Sequence, residues 1–353
     1  MNVTEHSYRL SLKFIICLIG ITVLVQSCTD DDSLYREGKY LYNKKKYTEA
    51  FELYQKAARA GNIVALNEIG WMYQNGEGVN KDLQLAMKYY QKAAEKGNGS
   101  AMNNIGWIYD KGVGVKEDNL KAIEWYNKGV DAGNAYAINN LAWMYEKGEG
   151  VTINYKKAME YYQQAAQAGS GSAMNSIGLM YENGEGVNVN YIKAMKWYLK
   201  AAGLDISDAI FNIGYMYENG EGVNVDYHKA LQWYQKAYED SNAIATNNIG
   251  WMYEKGEGVT ADYQKAMDWY QKAAALGSGD AMNNLGWMYE NGEGVKIDYL
   301  SAMNWYQKAA DAKNADAMNN MAALFEEGKG VKKDMKKAAE WHKKADETKN
   351  STN

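Results

Sequence analysis

Residues 245–259 of this chain read ATNNIGWMYEKGEGV, and their pattern decides the fold. Apolar side chains recur at intervals of three and four residues up to Tyr253, which predicts an amphipathic helix. Gly256 and Gly258 then end this helix, because glycine adopts a positive φ without steric cost. The segment therefore predicts a helix that stops in a tight glycine turn.

A second helix is predicted directly after the glycine turn. Asp262 is suited to cap its first turn, since its side chain accepts hydrogen bonds from free backbone N–H groups. Ala266, Trp269 and Tyr270 lie on one helical face, and Gly277 closes the helix. The unit is thus a helix–turn–helix hairpin, and small residues such as Ala266 are expected to let its two helices approach closely.

The glycine turn recurs eight times as Gly-x-Gly-Val, always 36 residues apart. The copies begin at Gly76, Gly112, Gly148, Gly184, Gly220, Gly256, Gly292 and Gly328. A fixed period of this size predicts a solenoid in which each repeat contacts mainly its neighbours. Such an array presents a long surface and is not organised around one pocket, which favours binding over catalysis.

The full motif resembles a known repeat family. It reads Ala-x-x-Asn-Ile-Gly-x-x-Tyr-x-x-Gly-x-Gly-Val and then Asp-x-x-x-Ala-x-x-Trp-Tyr-x-x-Ala-Ala, as in Sel-one-like repeats, relatives of the tetratricopeptide repeat. Eight such repeats cover 62–349, residues 34–61 resemble a plain tetratricopeptide hairpin expected to cap the N-terminus, and 350–353 form a tail. The resemblance implies an all-α, right-handed superhelical solenoid that mediates protein–protein contacts.

The N-terminus has a different composition. Residues 1–27 predict a signal peptide, since Arg9 and Lys13 precede an apolar run over 14–25 that is shorter than the roughly 20 residues of a membrane span. The four residues that end at Cys28 resemble the lipobox of bacterial lipoproteins, which predicts lipidation of Cys28. The alternative is a plain signal peptide in which this cysteine is incidental.

Residues 28–33 form an acidic tether that contains Asp30, Asp31 and Asp32. This cluster resembles the export signal of surface lipoproteins in Bacteroidetes-type bacteria, which implies an outer-membrane lipoprotein facing outward; the alternative is a merely solvated tether. Removal of residues 1–27, with a net charge of +1, changes the net charge from −5 to −6. The acidic net charge argues against nucleic acid as a partner, because a protein needs basic patches to bind nucleic acid.

The resemblance also implies that the first helix of each repeat lines a concave groove. Three columns on that helix then face the groove: asparagines, tryptophans and mostly acidic residues, at a spacing that one helix face shares. The candidate groove residues are Asn103, Trp107, Asn139, Trp143, Glu146, Asn247, Trp251, Glu254, Asn283, Trp287 and Glu290. Such a groove suits an extended peptide, or a glycan stacked on tryptophan. The alternative is that the tryptophans pack against the adjacent repeat and the asparagines bond to neighbouring backbone.

Motifs of catalysis and metal binding are not found in the sequence. It has three histidines and two cysteines, with no His-Glu-x-x-His or paired-cysteine spacing. We therefore expect no catalytic residues, no metal and no cofactor. The first hypothesis is a lipid-anchored scaffold in the cell envelope that binds a protein or an extended peptide. The second is a surface glycan-binding protein or adhesin, and the third a cell-wall hydrolase.

Overall fold

The structure, a computed structural model, describes residues 31–352, with side chains up to residue 350. This part of the chain contains eighteen α-helices and no strand, which confirms the predicted all-α solenoid of hairpin repeats. In chain order the helices are α1 (31–43), α2 (Tyr47–Ala60), α3 (Ile63–Asn75), α4 (Leu83–Glu95), α5 (Gly99–Lys111), α6 (Asn119–Asp131), α7 (Ala135–Lys147), α8 (Tyr155–Gln167), α9 (Gly171–Asn183), α10 (Tyr191–Ala202), α11 (Ser207–Asn219), α12 (Tyr227–Glu239), α13 (Ala243–Lys255), α14 (Tyr263–Ala275), α15 (Gly279–Asn291), α16 (Tyr299–Asp311), α17 (Ala315–Glu327) and α18 (Met335–Thr352).

The helices divide between two compact units. The described part of the first unit, residues 31–170, holds α1 to α8, and that of the second, residues 171–352, holds α9 to α18. In both units each odd-numbered helix is the first helix of a hairpin and the following even-numbered helix is the second. First helices of neighbouring repeats also contact each other: α5 contacts α7, and α15 contacts α17. Each unit therefore has a surface built from consecutive first helices.

The glycine turn needs its two glycines for different reasons. Gly256 adopts a φ of 76° at the end of α13, where its N–H and that of Glu257 donate to the Met252 carbonyl at 2.9 and 3.0 Å. Gly258 has a φ of 69°, and a Cβ there would lie 2.7 Å from the backbone of Tyr227 in the preceding repeat. The turn thus ends one helix and packs its backbone directly on the start of another.

The second helices are capped as predicted. The Asp262 carboxylate accepts a hydrogen bond from the Lys265 N–H at 3.0 Å, which satisfies a donor that the helix leaves free. The whole column accepts such bonds: Asp82, Asp118, Asn154, Asn190, Asp226, Asp262, Asp298 and Asp334. Every second helix after the N-terminal hairpin therefore begins at the predicted residue.

The core of most hairpins is a buried tyrosine packed on a glycine; Ala142 and Ala322 take the place of the glycine in two repeats, and His342 that of the tyrosine in the last. The ring of Tyr270 has no exposed surface, and a Cβ built on Gly250 would lie 2.6 Å from its Cδ1 atom. The same pair holds the N-terminal hairpin together, where Gly38 faces Tyr54 at 2.9 Å. The predicted close approach of the two helices is confirmed, and the tyrosine ring is the group that requires it.

We expect Gly250→Ala to lower the free energy of unfolding by about 1–3 kcal/mol, because the added methyl group overlaps the Tyr270 ring in a filled core. The matched control is Gly203→Ala, whose Cβ would meet nothing closer than 3.4 Å and whose φ of −68° suits alanine. Urea unfolding of both variants checks this. Equal stability of Gly250→Ala and Gly203→Ala would contradict the role assigned to the tyrosine–glycine contact.

Candidate functional site

The candidate groove residues all lie on first helices. We call the surface that these side chains form within one unit the first-helix face. In the first unit it includes Asn103 and Trp107 of α5, and Asn139, Trp143 and Glu146 of α7. In the second unit it includes Asn247, Trp251 and Glu254 of α13, and Asn283, Trp287 and Glu290 of α15.

The tryptophan column lies outside the buried core. The exposed fractions are 36% for Trp107, 41% for Trp251 and 47% for Trp287, while Trp143 is half-buried. Lysine ammonium groups lie over two of these rings, since Lys111 Nζ is 4.5 Å from the Trp143 centroid and Lys255 Nζ is 4.5 Å from that of Trp251. The column thus offers large aromatic surfaces to solvent.

The second helices carry a further tryptophan column, whose rings are covered by the chain itself. Lys272 Nζ lies 3.8 Å from the centroid of Trp269, three residues earlier on the same helix, and the edge of Tyr238 meets that ring. Trp125, Trp197, Trp305 and Trp341 have lysines placed in the same way. The tryptophans of the second helices are all partly buried, whereas Trp107, Trp251 and Trp287 of the first helices are exposed.

The acidic column faces inward as well as outward. Glu254 is 8% exposed and accepts a hydrogen bond of 2.8 Å from the hydroxyl of the buried Tyr270 on the second helix. Tyr162 donates to Glu146 at 2.7 Å and Tyr306 to Glu290 at 2.8 Å in the same way. These carboxylates are anchored, because each one is the polar partner of a buried tyrosine.

This tyrosine–acid pair was not predicted, although the sequence carries a signal of it. The tyrosine and its acceptor stand 16 residues apart in each of the eight repeats. Where one of the two residues changes, the contact between them is kept. Tyr90 donates to Gln74 at 2.9 Å. In the last repeat His342 stands in the tyrosine column and its Nε2 atom lies 3.3 Å from Glu326.

Most of the asparagine column joins neighbouring repeats through side-chain amides, whereas the buried Oδ1 atom of Asn139 has no hydrogen-bond partner in the part of the chain that the structure describes. Asn140 Nδ2 donates to Asn103 Oδ1 at 2.9 Å, and Asn284 Nδ2 donates to Asn247 Oδ1 at 3.1 Å. Asn320 donates to Asn283 at 2.9 Å. In these pairs each asparagine bonds to another side chain and not to neighbouring backbone. The donors form a second asparagine column, one residue after the first. The motif shows this donor column as the second of two consecutive asparagines, and its role was not predicted from the sequence.

Within residues 31–352, no three histidine, cysteine, aspartate or glutamate side chains cluster in a way that could hold a metal ion. No helix in this part of the chain combines the length and the apolar character that a membrane crossing requires.

The repeats match a family model along nearly the whole described chain. The Sel1 repeat model matches nine segments: 33–62, 63–98, 99–134, 135–170, 171–205, 207–242, 243–278, 279–314 and 315–345. The chain is a Sel1 repeat protein. Proteins of this family are generally non-enzymatic scaffolds and typically bind protein partners. The first matched segment, 33–62, covers the hairpin that was expected to cap the N-terminus.

Two solved structures resemble this Sel1 repeat protein. One is a protective antigen of uropathogenic Escherichia coli with an SLR fold, 33% identical, with a TM-score of 0.64 over 86% of this chain and 65% of that one. The other is a Sel1 repeat protein from Oxalobacter formigenes, 35% identical, with a TM-score of 0.63 over 68% of this chain and 99% of that one.

Among curated proteins, the Sel1 repeat protein matches a component of a larger enzyme assembly. This relative is the ERAD-associated E3 ubiquitin-protein ligase component HRD3 of Candida glabrata, 42% identical over 57 residues. The match covers 16% of this chain and 7% of the relative, so the chain spans only a small part of that protein.

The buried tyrosines predict a loss of stability in alkali. Burial first, and then the Glu254 carboxylate, raises the pKa of Tyr270 above its ordinary value of 10.0, and burial raises the pKa of Tyr90 in the same direction. Because the folded state then holds these protons more tightly than the unfolded state, the free energy of unfolding should stay level from pH 8 to about 10 and fall above it. Urea unfolding between pH 8 and 11.5 measures this.

Two variants test the source of this effect. Tyr270→Phe removes the hydroxyl that Glu254 accepts, and should lower the free energy of unfolding at pH 8 by about 1–2 kcal/mol and shrink its loss above pH 10. Tyr263→Phe, at a ring that is 44% exposed, should match the wild type at pH 8. Equal stability of the two variants would contradict a role for the tyrosine–acid bond.

Proposed function

We propose that this Sel1 repeat protein is a non-enzymatic scaffold that binds an extended segment of a protein partner on its first-helix face. The observation that carries the proposal is the column of half-exposed tryptophans set between anchored amides and carboxylates. Large aromatic side chains dominate the energy of protein interfaces when polar groups surround them. The family supports the choice of a protein partner.

The polar groups of the first-helix face are held before any partner arrives. Glu254 is fixed by Tyr270 at 2.8 Å, and Asn247 by Asn284 at 3.1 Å. Since these side chains have already lost their rotational freedom, a partner loses less entropy on binding them. The repeating face therefore suits a partner that meets the same set of groups in one repeat after another.

The location is proposed from the sequence. We propose that Cys28 is lipidated and holds the scaffold at the outer membrane, with the outward face favoured by the acidic tether. Cys28 and the signal peptide over 1–27 lie outside the described residues. A lipid anchor at Cys28 would hold the repeats close to an envelope partner.

A glycan is the second candidate ligand. The exposed fractions of Trp251 and Trp287 favour it, because sugars stack on open aromatic faces. Lys255, however, already lies 4.5 Å from the centroid of Trp251 and covers part of the surface that a sugar would use. This arrangement favours a peptide, and a cell-wall hydrolase is not proposed.

Trp251→Ala should weaken partner binding about tenfold or more, as loss of an aromatic anchor does at interfaces. The partner is first isolated from an envelope extract on the immobilised chain, then purified, and its affinity is measured by calorimetry. Because Trp251 is 41% exposed, its removal should lower the free energy of unfolding by only about 1 kcal/mol or less.

Trp269→Ala is the matched control for this prediction. Its ring packs against Tyr238 on the second helix, away from the first-helix face, so partner affinity should be retained. If both tryptophan variants bind equally well, the first-helix face is not the binding surface. Binding of the wild-type chain to a glycan array, with no partner recovered, would replace the proposal by the glycan-binding alternative.

Cys28→Ala should move the protein from the membrane pellet to the soluble envelope fraction, because the variant lacks the cysteine that carries the proposed lipid anchor. Fractionation followed by immunoblotting measures this. Cys17→Ala, which changes the other cysteine of the chain within the predicted signal, should leave the protein in the membrane pellet. Retention of Cys28→Ala in the pellet would exclude the proposed anchor.

A further inference from the structure

The glycine turn of the repeat at 315–345 borders an open cavity of about 700 Å³. The end of α17, the turn and the start of α18 form its walls. Its apolar lining consists of Phe325, Val331 and Met335, and its charged lining of Lys332, Lys333, Asp334 and Lys337. We call it the lysine cavity, because its ammonium groups outnumber its carboxylates.

The repeat at 99–134 has a cavity of about 430 Å³ at the same place. Each of its lining residues stands six 36-residue periods before a residue of the lysine cavity: Tyr109, Val115, Lys116, Glu117, Asp118 and Lys121. Both cavities therefore arise from the geometry of the repeat, and the side chains that were substituted make them different. The cavity at 99–134 is the counterpart with which the lysine cavity can be compared.

The two cavities differ in charge. The counterpart is lined by two lysines and two carboxylates and is neutral, whereas the lysine cavity has three lysines and one carboxylate, a net charge of +2. One substitution causes this difference, since Lys333 stands where the counterpart has Glu117. On a chain whose net charge is −5, a cavity of this kind attracts an anionic ligand.

The chain itself does not neutralise these lysines. In the counterpart, Lys121 Nζ pairs with the Asp118 carboxylate at 3.1 Å. Within residues 31–352, none of Lys332, Lys333 and Lys337 forms an ion pair. Three ammonium groups that share one cavity without a carboxylate partner repel one another, and a bound anion would relieve this repulsion.

The single carboxylate of the lysine cavity is engaged by the backbone. Asp334 Oδ1 accepts hydrogen bonds from the N–H groups of Lys336 and Lys337 at 3.1 and 3.0 Å, which caps α18. The first turn of this helix therefore already has its anion. An additional anion in the cavity has to be bound by the lysine side chains.

Apolar surface lies beside the ammonium groups. Met335, which is 57% exposed, stands where the counterpart has Asn119, and Phe325 replaces Tyr109. Lys337 Nζ lies 5.3 Å from the ring centroid of Phe325, which places one ammonium next to the apolar wall. A ligand that joins an anion to an apolar group can therefore contact both kinds of surface.

We propose that the lysine cavity binds a phosphate monoester joined to an apolar group, the chemistry of a phosphatidic acid headgroup. A phosphate monoester carries a charge of about −1.5 to −2 at pH 7, which matches the net charge of the lining. Lysine ammonium groups bind phosphate oxygens through charge-assisted hydrogen bonds. The site uses none of the columns of the first-helix face, so it is independent of the proposed function.

The test exchanges residues between the two cavities in the full-length chain. Lys333→Glu gives the lysine cavity the glutamate of its counterpart, so it should unfold at the same urea concentration as the wild type. Lys336→Glu is the matched control, because it makes the same charge change at an exposed residue of α18 that does not line the cavity. The probe is dihexanoylphosphatidic acid below its micelle concentration, and its affinity is measured by calorimetry at low salt.

The probe should bind the wild type and Lys336→Glu within about threefold of each other, and Lys333→Glu at least about tenfold more weakly, since repulsion replaces a charge-assisted hydrogen bond. If Lys336→Glu weakens binding as much as Lys333→Glu does, the lipid senses the overall charge and the inference is overturned. Equal binding of dihexanoylphosphatidylcholine, which lacks the monoester, also overturns it.

Inorganic phosphate tests the apolar part of the site. It should bind the wild type at least about tenfold more weakly than the lipid, because it makes no apolar contact. Met335→Asn, which introduces the asparagine of the counterpart, should weaken the lipid alone by about threefold or more. Equal affinity of inorganic phosphate and the lipid for the wild type would show that Phe325 and Met335 take no part, and would overturn the assignment of an apolar group.

Discussion

The contact between a buried tyrosine and a small residue on the facing helix, glycine in most repeats, is the constraint on which the hairpins depend. Gly250 leaves the space that the Tyr270 ring fills, since a Cβ there would lie 2.6 Å from the Cδ1 atom of the ring. Because the ring has no exposed surface, its hydroxyl needs a partner, and Glu254 supplies one at 2.8 Å. The core of the hairpin thus dictates which side chain stands on its surface.

This coupling gives the first-helix face its character. Solvated acidic side chains would be mobile, but these carboxylates are anchored because one oxygen accepts a hydrogen bond from the core. The other oxygen can bind a group at the surface. Lys255 is bound in this way at Glu254. Under the proposed function, recognition would therefore use the same side chains that stabilise the hairpin.

Much of the hairpin was predictable from local rules. The positive φ at Gly256 and the cap at Asp262 are both properties of a few consecutive residues, and the structure has both where they were expected. Helical spacing also shows that the first-helix columns share one face, although their assignment to a groove came from the family resemblance. The bonds between columns were not predictable in this way, because Asn284 meets Asn247 across two repeats and the identity of the partner depends on how the hairpins stack.

The sequence by itself determined the period, the helix ends and the small residues at which the helices meet, since all of these follow from backbone geometry within one repeat. The tertiary structure alone decided how far each tryptophan ring is exposed. Trp269 is covered by Lys272 and Tyr238, whereas Trp251 keeps 41% of its surface exposed. The exposure of a side chain depends on which residues of the neighbouring helices pack against it. The residues of one repeat do not specify these contacts, because they arise only when the hairpins stack.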